Sequence, residues 1–402
     1  MDNAKHERNG EMDIDRERCM HTFHCERREF QDRKTGRTVW QVTNGDFECS
    51  ATYMDKPCWT ADETYMLIAS NFSGAWQPYR LSLETGEAVQ VYETPSPSFL
   101  TVMAPETNEA FIPDGQRMVA VNLETLEARV AVDFSASGRE AFKVQPVIGY
   151  DGSVTMARHH EGAATEFWFT PTDGRNEFEV LRVDPMPCQP GHDNFIPGYP
   201  KYVCVNAMRS DPHGPLAYDW NSDDPDRRVK TWRIERETGA IQPLIPLPQG
   251  ISATHVVWTR DGERLHFHRK TQPTWVPTAL CSVDREGGDF RVHYETSEHR
   301  LGHSCPHPHA PWIVTDSQDK NENILMLVHL ERDETHMLCW PDTSIHSGRP
   351  DARREDLPAH PHRHTHPGFS HSGRFVHYTS DVGGTCQVYV VPVADLAGGG
   401  QR

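Results

Sequence analysis

Short runs of alternating hydrophobic and polar residues, each ended by Gly, Asp, Asn or Pro, follow one another along the chain. Such runs are typical of β-strands joined by tight turns. One recurring pattern is strand, turn, strand, as in KPCWTADETYMLIAS from Lys56, HVVWTRDGERLHFHR from His255 and HPGFSHSGRFVHYTS from His366. Another is a hairpin tip, which reads SLETGE at Ser82 and DREGGD at Asp284. Together the two patterns predict an all-β protein made of repeated antiparallel units.

The repeated units begin near residues 53, 99, 144, 192, 255, 301 and 364, and most intervals are close to 46 residues. Seven four-stranded units at this period predict a seven-bladed β-propeller. The strand TGRTVWQVT at 35–43 precedes the first unit. We expect it to pair with the last blade and close the ring, which removes exposed edges. A β-sandwich is the alternative fold. The predicted organisation is a polar N-terminal extension at 1–30 and a single propeller domain at 31–402.

Composition excludes several classes of protein. The 402 residues include 40 Lys and Arg against 58 Asp and Glu, a net charge of −18, which argues against a nucleic-acid-binding protein. No apolar run approaches the ~20 residues of a membrane span, and the polar N-terminus offers no signal-peptide core. We therefore expect a cytoplasmic protein without membrane contact, whose ten cysteines are reduced thiols. The oligomeric state stays open, with a homodimer as one candidate.

Histidine is the unusual feature of the composition, with 24 residues. When the units are aligned on their first turn, one position is histidine in four of them: His192, His255, His303 and His366. The first strand of each propeller blade lines the central channel, so these side chains should meet around one mouth. The alternative is that each is a polar core residue whose imidazole bonds to a backbone carbonyl.

The last of these histidines lies in the segment HPHRHTHP. His364 and His366 are two residues apart on a predicted strand and therefore project from one face. Converging imidazoles suit Mn²⁺, Zn²⁺ or Fe²⁺. The predicted ligands are His303, His364 and His366, with His360 or His362 as a fourth. The alternative is a flexible histidine-rich loop that binds metal only adventitiously.

Three segments resemble one enzyme family: YMDKPCWTADETYMLIASNFSGAWQPYRLSLETGEAVQVY, then KTWRIERETGAIQPL followed by THVVW, and HTHPGFSHSGRFVHYTSD. In order and spacing they are similar to the oligogalacturonate lyases, polysaccharide lyase family 22, over residues 35–393. The resemblance implies a Mn²⁺-dependent seven-bladed propeller that cleaves short uronate oligosaccharides by β-elimination. It places the metal ligands on His303, His364 and His366. The family's glutamine ligand falls on Pro361, and we expect a neighbouring histidine to replace it.

The resemblance also assigns the reacting groups. It implies that His255 is the general base and that Lys230 occupies the position of the family's catalytic arginine. Lysine carries the positive charge but cannot form the bidentate contact of arginine. Arg228 lies two residues earlier and is a candidate to contact substrate. We expect His192 and Lys56, in the same ring, to hold substrate carboxylates.

Two other functions remain open from the sequence. A non-catalytic propeller scaffold would bind no stoichiometric metal. A metal-dependent hydrolase or oxygenase would use the same histidines. The products of a hydrolase would lack the C4=C5 double bond of a lyase product, and the reaction of an oxygenase would require O₂.

Overall fold

The computed structural model describes residues 20–95, 101–104, 106–138, 143–149, 151–208, 218–319, 323–344 and 364–396. Within these ranges the chain forms β-strands and two short 3-10 helices, Phe134–Ser137 and Asp226–Arg228. No helix in the described part of the chain has the length and apolar character of a membrane span. The nine cysteines in these ranges are all free thiols, as predicted.

The strands form seven antiparallel sheets, each numbered here as a blade in chain order. Blades 1 to 3 share the same meander and consist of β4 Cys49–Ala51, β5 Tyr65–Ser70, β6 Gln77–Ser82 and β7 Glu87–Gln90; β8 Val102–Ala104, β9 Glu109–Asp114, β10 Arg117–Asn122 and β11 Ala128–Asp133; and β12 Lys143–Ile148, β13 Val154–Glu161, β14 Ala164–Pro171 and β15 Glu179–Val183.

Blades 4 to 6 repeat this arrangement and consist of β16 Pro190–Ile196, β17 Tyr199–Ala207, β18 Thr231–Glu235 and β19 Ile241–Pro243; β20 Ile251–Trp258, β21 Arg264–Thr271, β22 Thr278–Asp284 and β23 Arg291–Thr296; and β24 Leu301–Pro306, β25 Trp312–Ser317, β26 Leu325–His329 and β27 Thr335–Cys339. Blade 7 joins both ends of the chain: β28 Gly368–Phe369, β29 Phe375–Ser380 and β30 Gln387–Pro392 are completed by β3 Thr38–Gln41 and β2 Arg28–Gln31.

The seven-bladed propeller predicted from the repeats is confirmed, and each first strand begins within four residues of its predicted start. The predicted closing strand is also observed, because β3 pairs with β30, with Trp40 opposite Val390 and Gln41 opposite Tyr389. A shared apolar core then joins blade 7 to blades 1 and 2.

The propeller includes strands from the range 1–30 that was expected to be an extension. The strand β1, Thr22–His24, pairs with β7 at the outer edge of blade 1, and β2 covers the edge of blade 7. Phe23 packs against Phe47, with ring centroids 4.7 Å apart, and is 6% exposed. These strands are short and polar outside, so their alternation is a weak sequence signal, and pairing with an existing sheet edge orders them.

The blades are equivalent around the ring, so their first strands all begin at the same face, and neighbouring strands within a blade are antiparallel. The second and fourth strands end at that face. Side chains near the starts of β16, β20, β24 and β28 therefore surround one mouth of the channel, and the functional site is built there.

Candidate active site

The predicted ring of histidines is held by unusual backbone geometry. His192, His255 and His366 have positive φ angles of 49°, 53° and 40°. This left-handed conformation is uncommon for residues with a side chain. In β16, β20 and β24 the pairing with the next strand shifts register at His192, His255 and His303 respectively. Such bulges re-aim a side chain out of the regular pleat, and here they recur at equivalent positions in three successive blades.

The three predicted metal ligands come together. His303, His364 and His366 each offer a ring nitrogen, and these atoms lie within 4.8 Å of one another. The ring centroid of His303 is 4.3 Å from that of His366 and 5.1 Å from that of His364. His303 and His366 are 2% and 5% exposed. Three imidazole nitrogens converging in a shielded place fit a divalent first-row ion that leaves other positions for water or substrate.

Asp316 orients the central histidine of this cluster. Its Oδ2 lies 3.0 Å from His303 Nδ1, and its Oδ1 accepts a hydrogen bond of 2.5 Å from the His303 backbone N–H. Burial alone would raise the pKa of Asp316, but His303 and these hydrogen bonds hold that pKa below its ordinary value. A carboxylate on the far nitrogen of an imidazole leaves the other nitrogen for a metal and increases its basicity.

Gln318 is a fourth polar side chain at the cluster. Its amide nitrogen lies 3.4 Å from His303 Nδ1 and 3.5 Å from His364 Nδ1, and the residue is 7% exposed. The oxygen and nitrogen of a glutamine amide exchange places by a half-turn. Turned in this way, the amide would direct its oxygen at the space between the three imidazoles. Gln318 therefore fits the place of the glutamine ligand that the family resemblance puts at Pro361.

His255 lies beside this cluster, with its ring centroid 4.2 Å from that of His303. Among the described residues, none forms a hydrogen bond to its buried Nδ1. Burial holds the pKa of His255 well below its ordinary value, and the neighbouring His303 and Lys270 lower it further. The imidazole is therefore neutral at neutral pH, which is the form that can accept a proton.

His255 opens onto a cavity of about 190 Å³ that is also lined by Lys230, His192, Tyr53 and Asp55. Lys230 Nζ donates a hydrogen bond of 2.7 Å to the backbone oxygen of Ala207, and burial lowers its pKa to about 8. Burial also lowers the pKa of His192. At neutral pH this wall of the cavity thus presents a cation and a neutral base.

Tyr53 joins the two sides of the cavity. Its ring stacks on His192 with centroids 5.6 Å apart and meets His366 edge-on at 4.7 Å. Its place at the cavity was not predicted from the sequence.

Two predicted substrate-binding residues lie outside this cavity. Lys56 Nζ donates to Asn194 Oδ1 at 2.6 Å and lines a second cavity, which shares Met54 and Asp55 with the first. The guanidinium of Arg228 donates to the backbone oxygens of Ser222 and Leu247. The predicted fourth ligands His360 and His362 lie outside the described residues.

The sequence contained a signal for two of the missed residues. Asp316 lies in β25 and Gln318 is the second residue after Asp316, so strand alternation places the two side chains on one face. The strand predicted at His364 and His366 is not observed, because both residues precede β28 and His366 has a left-handed backbone. The side chains that Asp316 and Gln318 contact are set by the arrangement of the blades around the channel. From the sequence alone, the DSQD segment resembles an ordinary loop.

Comparison with known proteins agrees with this architecture. Residues 17–137 match the family model described as oligogalacturonate lyase. An oligogalacturonide lyase of Pectobacterium atrosepticum is 22% identical over 414 aligned positions, covering 93% of this chain and 97% of that protein. An oligogalacturonate lyase of Dickeya dadantii is also 22% identical, covering 91% and 96%.

A solved oligogalacturonate lyase in complex with manganese superposes with a TM-score of 0.74 at 20% identity, covering 92% of this chain and 97% of that one. The predicted resemblance to the oligogalacturonate lyases is confirmed. The enzyme of Vibrio parahaemolyticus gives a TM-score of 0.75 at 20% identity, with 94% and 99% covered. These likenesses establish a common fold over nearly the whole chain.

Proposed function

We propose that this protein is a Mn²⁺-dependent oligogalacturonate lyase that cleaves short uronate oligosaccharides by β-elimination. The observation that carries the proposal is one juxtaposition. A cluster of three histidines fits a metal ion, the ring centroid of the neutral His255 lies 4.2 Å from that of His303, and Lys230 lines the same cavity as His255. His303, His364 and His366 would hold the ion, and Gln318 would supply a fourth ligand. A bound divalent ion supplies Lewis-acid stabilisation of the negative charge that develops on the substrate carboxylate.

The residues of this chain supply the remaining parts of the reaction. His255 removes the C5 proton of the uronate, the C5–H electron pair forms the C4=C5 double bond, and the C4–O bond breaks with its electrons left on oxygen. The proton held by the imidazole, or one from water, then neutralises that oxygen. Lys230 places a positive charge near the developing anion, which lowers the barrier to proton removal.

The general electrostatics favour a short substrate. The net charge of −18 repels a long polyanion, whereas Lys230 and a bound metal ion would attract a single chain end into the cavity. The inferred role is the breakdown of pectin fragments. A cytoplasmic location and a homodimeric state stay predictions.

The decisive experiment identifies the products. Purified protein is incubated with trigalacturonate in the presence of Mn²⁺ or EDTA, and the products are weighed by mass spectrometry. We expect an unsaturated uronate that is lost with EDTA and in His255→Ala. His336→Ala, which changes a histidine of the outer strand β27, serves as the matched control and should retain activity. Products heavier by one water would replace the lyase with a hydrolase, and absence of both turnover and stoichiometric metal would indicate a scaffold.

A further inference from the structure

The cavity beside His255 contains one anionic group that the proposed reaction does not use. Asp55 lines this cavity and also the second cavity, which Lys56 lines, and its side chain is 7% exposed. Its Oδ2 accepts a hydrogen bond of 3.0 Å from Asn194 Nδ2 and lies 3.4 Å from Lys56 Nζ. Within the described chain, no residue forms a hydrogen bond to the other oxygen, Oδ1, which is buried.

The carboxylate is fixed in this orientation. Lys56 donates to Asn194 Oδ1 at 2.6 Å, so the ammonium, the amide and the carboxylate form a closed triangle on one side of Asp55. Rotation of the Asp55 side chain would break two of these contacts. Oδ1 is therefore a held acceptor, and a donor supplied from outside the chain would offset the cost of leaving it buried and unpaired.

The chemistry of the cavity decides what that partner is. A substrate carboxylate would be repelled by Asp55 and attracted by the metal site and Lys230. A hydroxyl is neutral and can donate. In a 1,4-linked uronide the anomeric carbon and C4 carry the linkages and C6 is the carboxylate, so the free ring hydroxyls are those on C2 and C3.

We propose that Asp55 determines specificity by accepting a hydrogen bond from a C2 or C3 hydroxyl of the bound uronate, so that rings substituted at that oxygen are rejected. This inference rests on the proposed function for the identity of the sugar. It makes the cavity two-sided: the histidines and Lys230 bind the acidic edge of the ring, and Asp55 binds its hydroxyl edge. A site that hydrogen-bonds a substrate hydroxyl discriminates strongly against analogues that cannot donate.

The test measures binding without turnover. Mn²⁺-loaded His255→Ala protein is titrated calorimetrically with trigalacturonate and with its 2-O-methyl and 3-O-methyl derivatives. We expect one derivative to bind at least about tenfold more weakly than the parent, as for a lost hydrogen bond to a charged group. Adding Asp55→Asn should reduce this ratio to less than about threefold, while Mn²⁺ affinity is unchanged.

Two controls separate the role of Asp55 from damage to the fold. Asp173→Asn neutralises an exposed carboxylate of a surface turn and should leave the ratio intact. Asp55→Ser repeats the test with a smaller side chain that lacks the carboxylate, and it should reduce the ratio as Asp55→Asn does. Equal binding of all three sugars by the His255→Ala protein, or an unchanged ratio in both Asp55 variants, would overturn the inference.

The outcomes also distinguish this inference from the proposed function. Discrimination between the sugars without lyase products from the wild-type protein would overturn the function and keep the role of Asp55. Lyase products without discrimination between the sugars would keep the proposed function and overturn the role of Asp55. Absence of binding by any of the uronides would overturn the function and the role of Asp55 together.

Discussion

Lys230 is a buried cation, and its removal should stabilise the fold while it abolishes activity. Burial lowers the pKa of Lys230 from 10.5 to about 8. A shift of this size corresponds to about 3 kcal/mol against the charged form in the folded protein. Because the cavity leaves the residue partly accessible, the expected penalty is about 2–3 kcal/mol.

The change Lys230→Met removes this penalty and also the hydrogen bond to the Ala207 carbonyl, which contributes about 1 kcal/mol. At pH 7 the variant should therefore be more stable than the wild type by about 1–2 kcal/mol.

The pH dependence follows from linkage. Below pH 8 the lysine is protonated in both folded and unfolded protein, and the difference between wild type and variant is constant. Between pH 8 and 10.5 the unfolded chain keeps the proton that the folded protein has lost, so the wild type gains stability relative to the variant. The advantage of Lys230→Met should therefore vanish by about pH 10.

Urea unfolding of both proteins at pH 7 and pH 10, in EDTA, measures this difference. Lys201→Met is the matched control, because Lys201 is exposed on β17 and pairs with Glu235 at 3.7 Å. It should leave the free energy of unfolding almost unchanged at either pH, because an exposed ion pair contributes little to stability. A destabilised Lys230→Met, or a difference that does not vary with pH, would show that Lys230 does not carry a buried charge.

Three further changes test the site. Lys230→Arg should extend the alkaline limb of kcat/KM, which we expect near pH 8 in the wild type, because arginine stays charged; an unchanged pH profile would argue against Lys230 as the cation. Gln318→Ala should weaken Mn²⁺ binding at least about tenfold in a calorimetric titration while Gln318→Glu retains it, and equal affinity in all three proteins would remove Gln318 from the ligand set. Asp316→Ala should lower Mn²⁺ affinity about 10- to 100-fold because His303 loses its orienting carboxylate, and the His336→Ala control should not.

The fold was predictable because its determinants are local and repeated. Turn residues and short alternating runs recur in every blade, so seven weak signals reinforce one another. The histidine register was also predictable, since equivalent positions in equivalent strands occupy equivalent places around a ring. His303 and His366 were brought together in this way from different blades.

The contents of the cavity were less predictable where the backbone is irregular. The register placed Lys56 in the ring, but β4 ends at Ala51 and the residues that follow are not part of a strand. Alternation therefore gives no guide to which side chain faces inward, and the neighbouring Asp55 lines the cavity beside His255. The contacts of Gln318 and Asp316 with His303 depend on the register in which β25 pairs with β24, and this register shifts at a bulge next to His303. The local sequence does not predict such a bulge.

The distribution of unfavourable features argues against a non-catalytic scaffold. Left-handed backbone at His192, His255 and His366 costs of order 1–3 kcal/mol at each residue. The unpaired oxygen of Asp55 and the buried ammonium of Lys230 add further destabilisation, and both line the cavity beside His255. In a propeller that served only as a scaffold, substitution could remove each of these destabilising features independently. Their convergence at one mouth of the channel, around a cluster that fits a divalent ion, is the arrangement expected of a site that binds and transforms an acidic sugar.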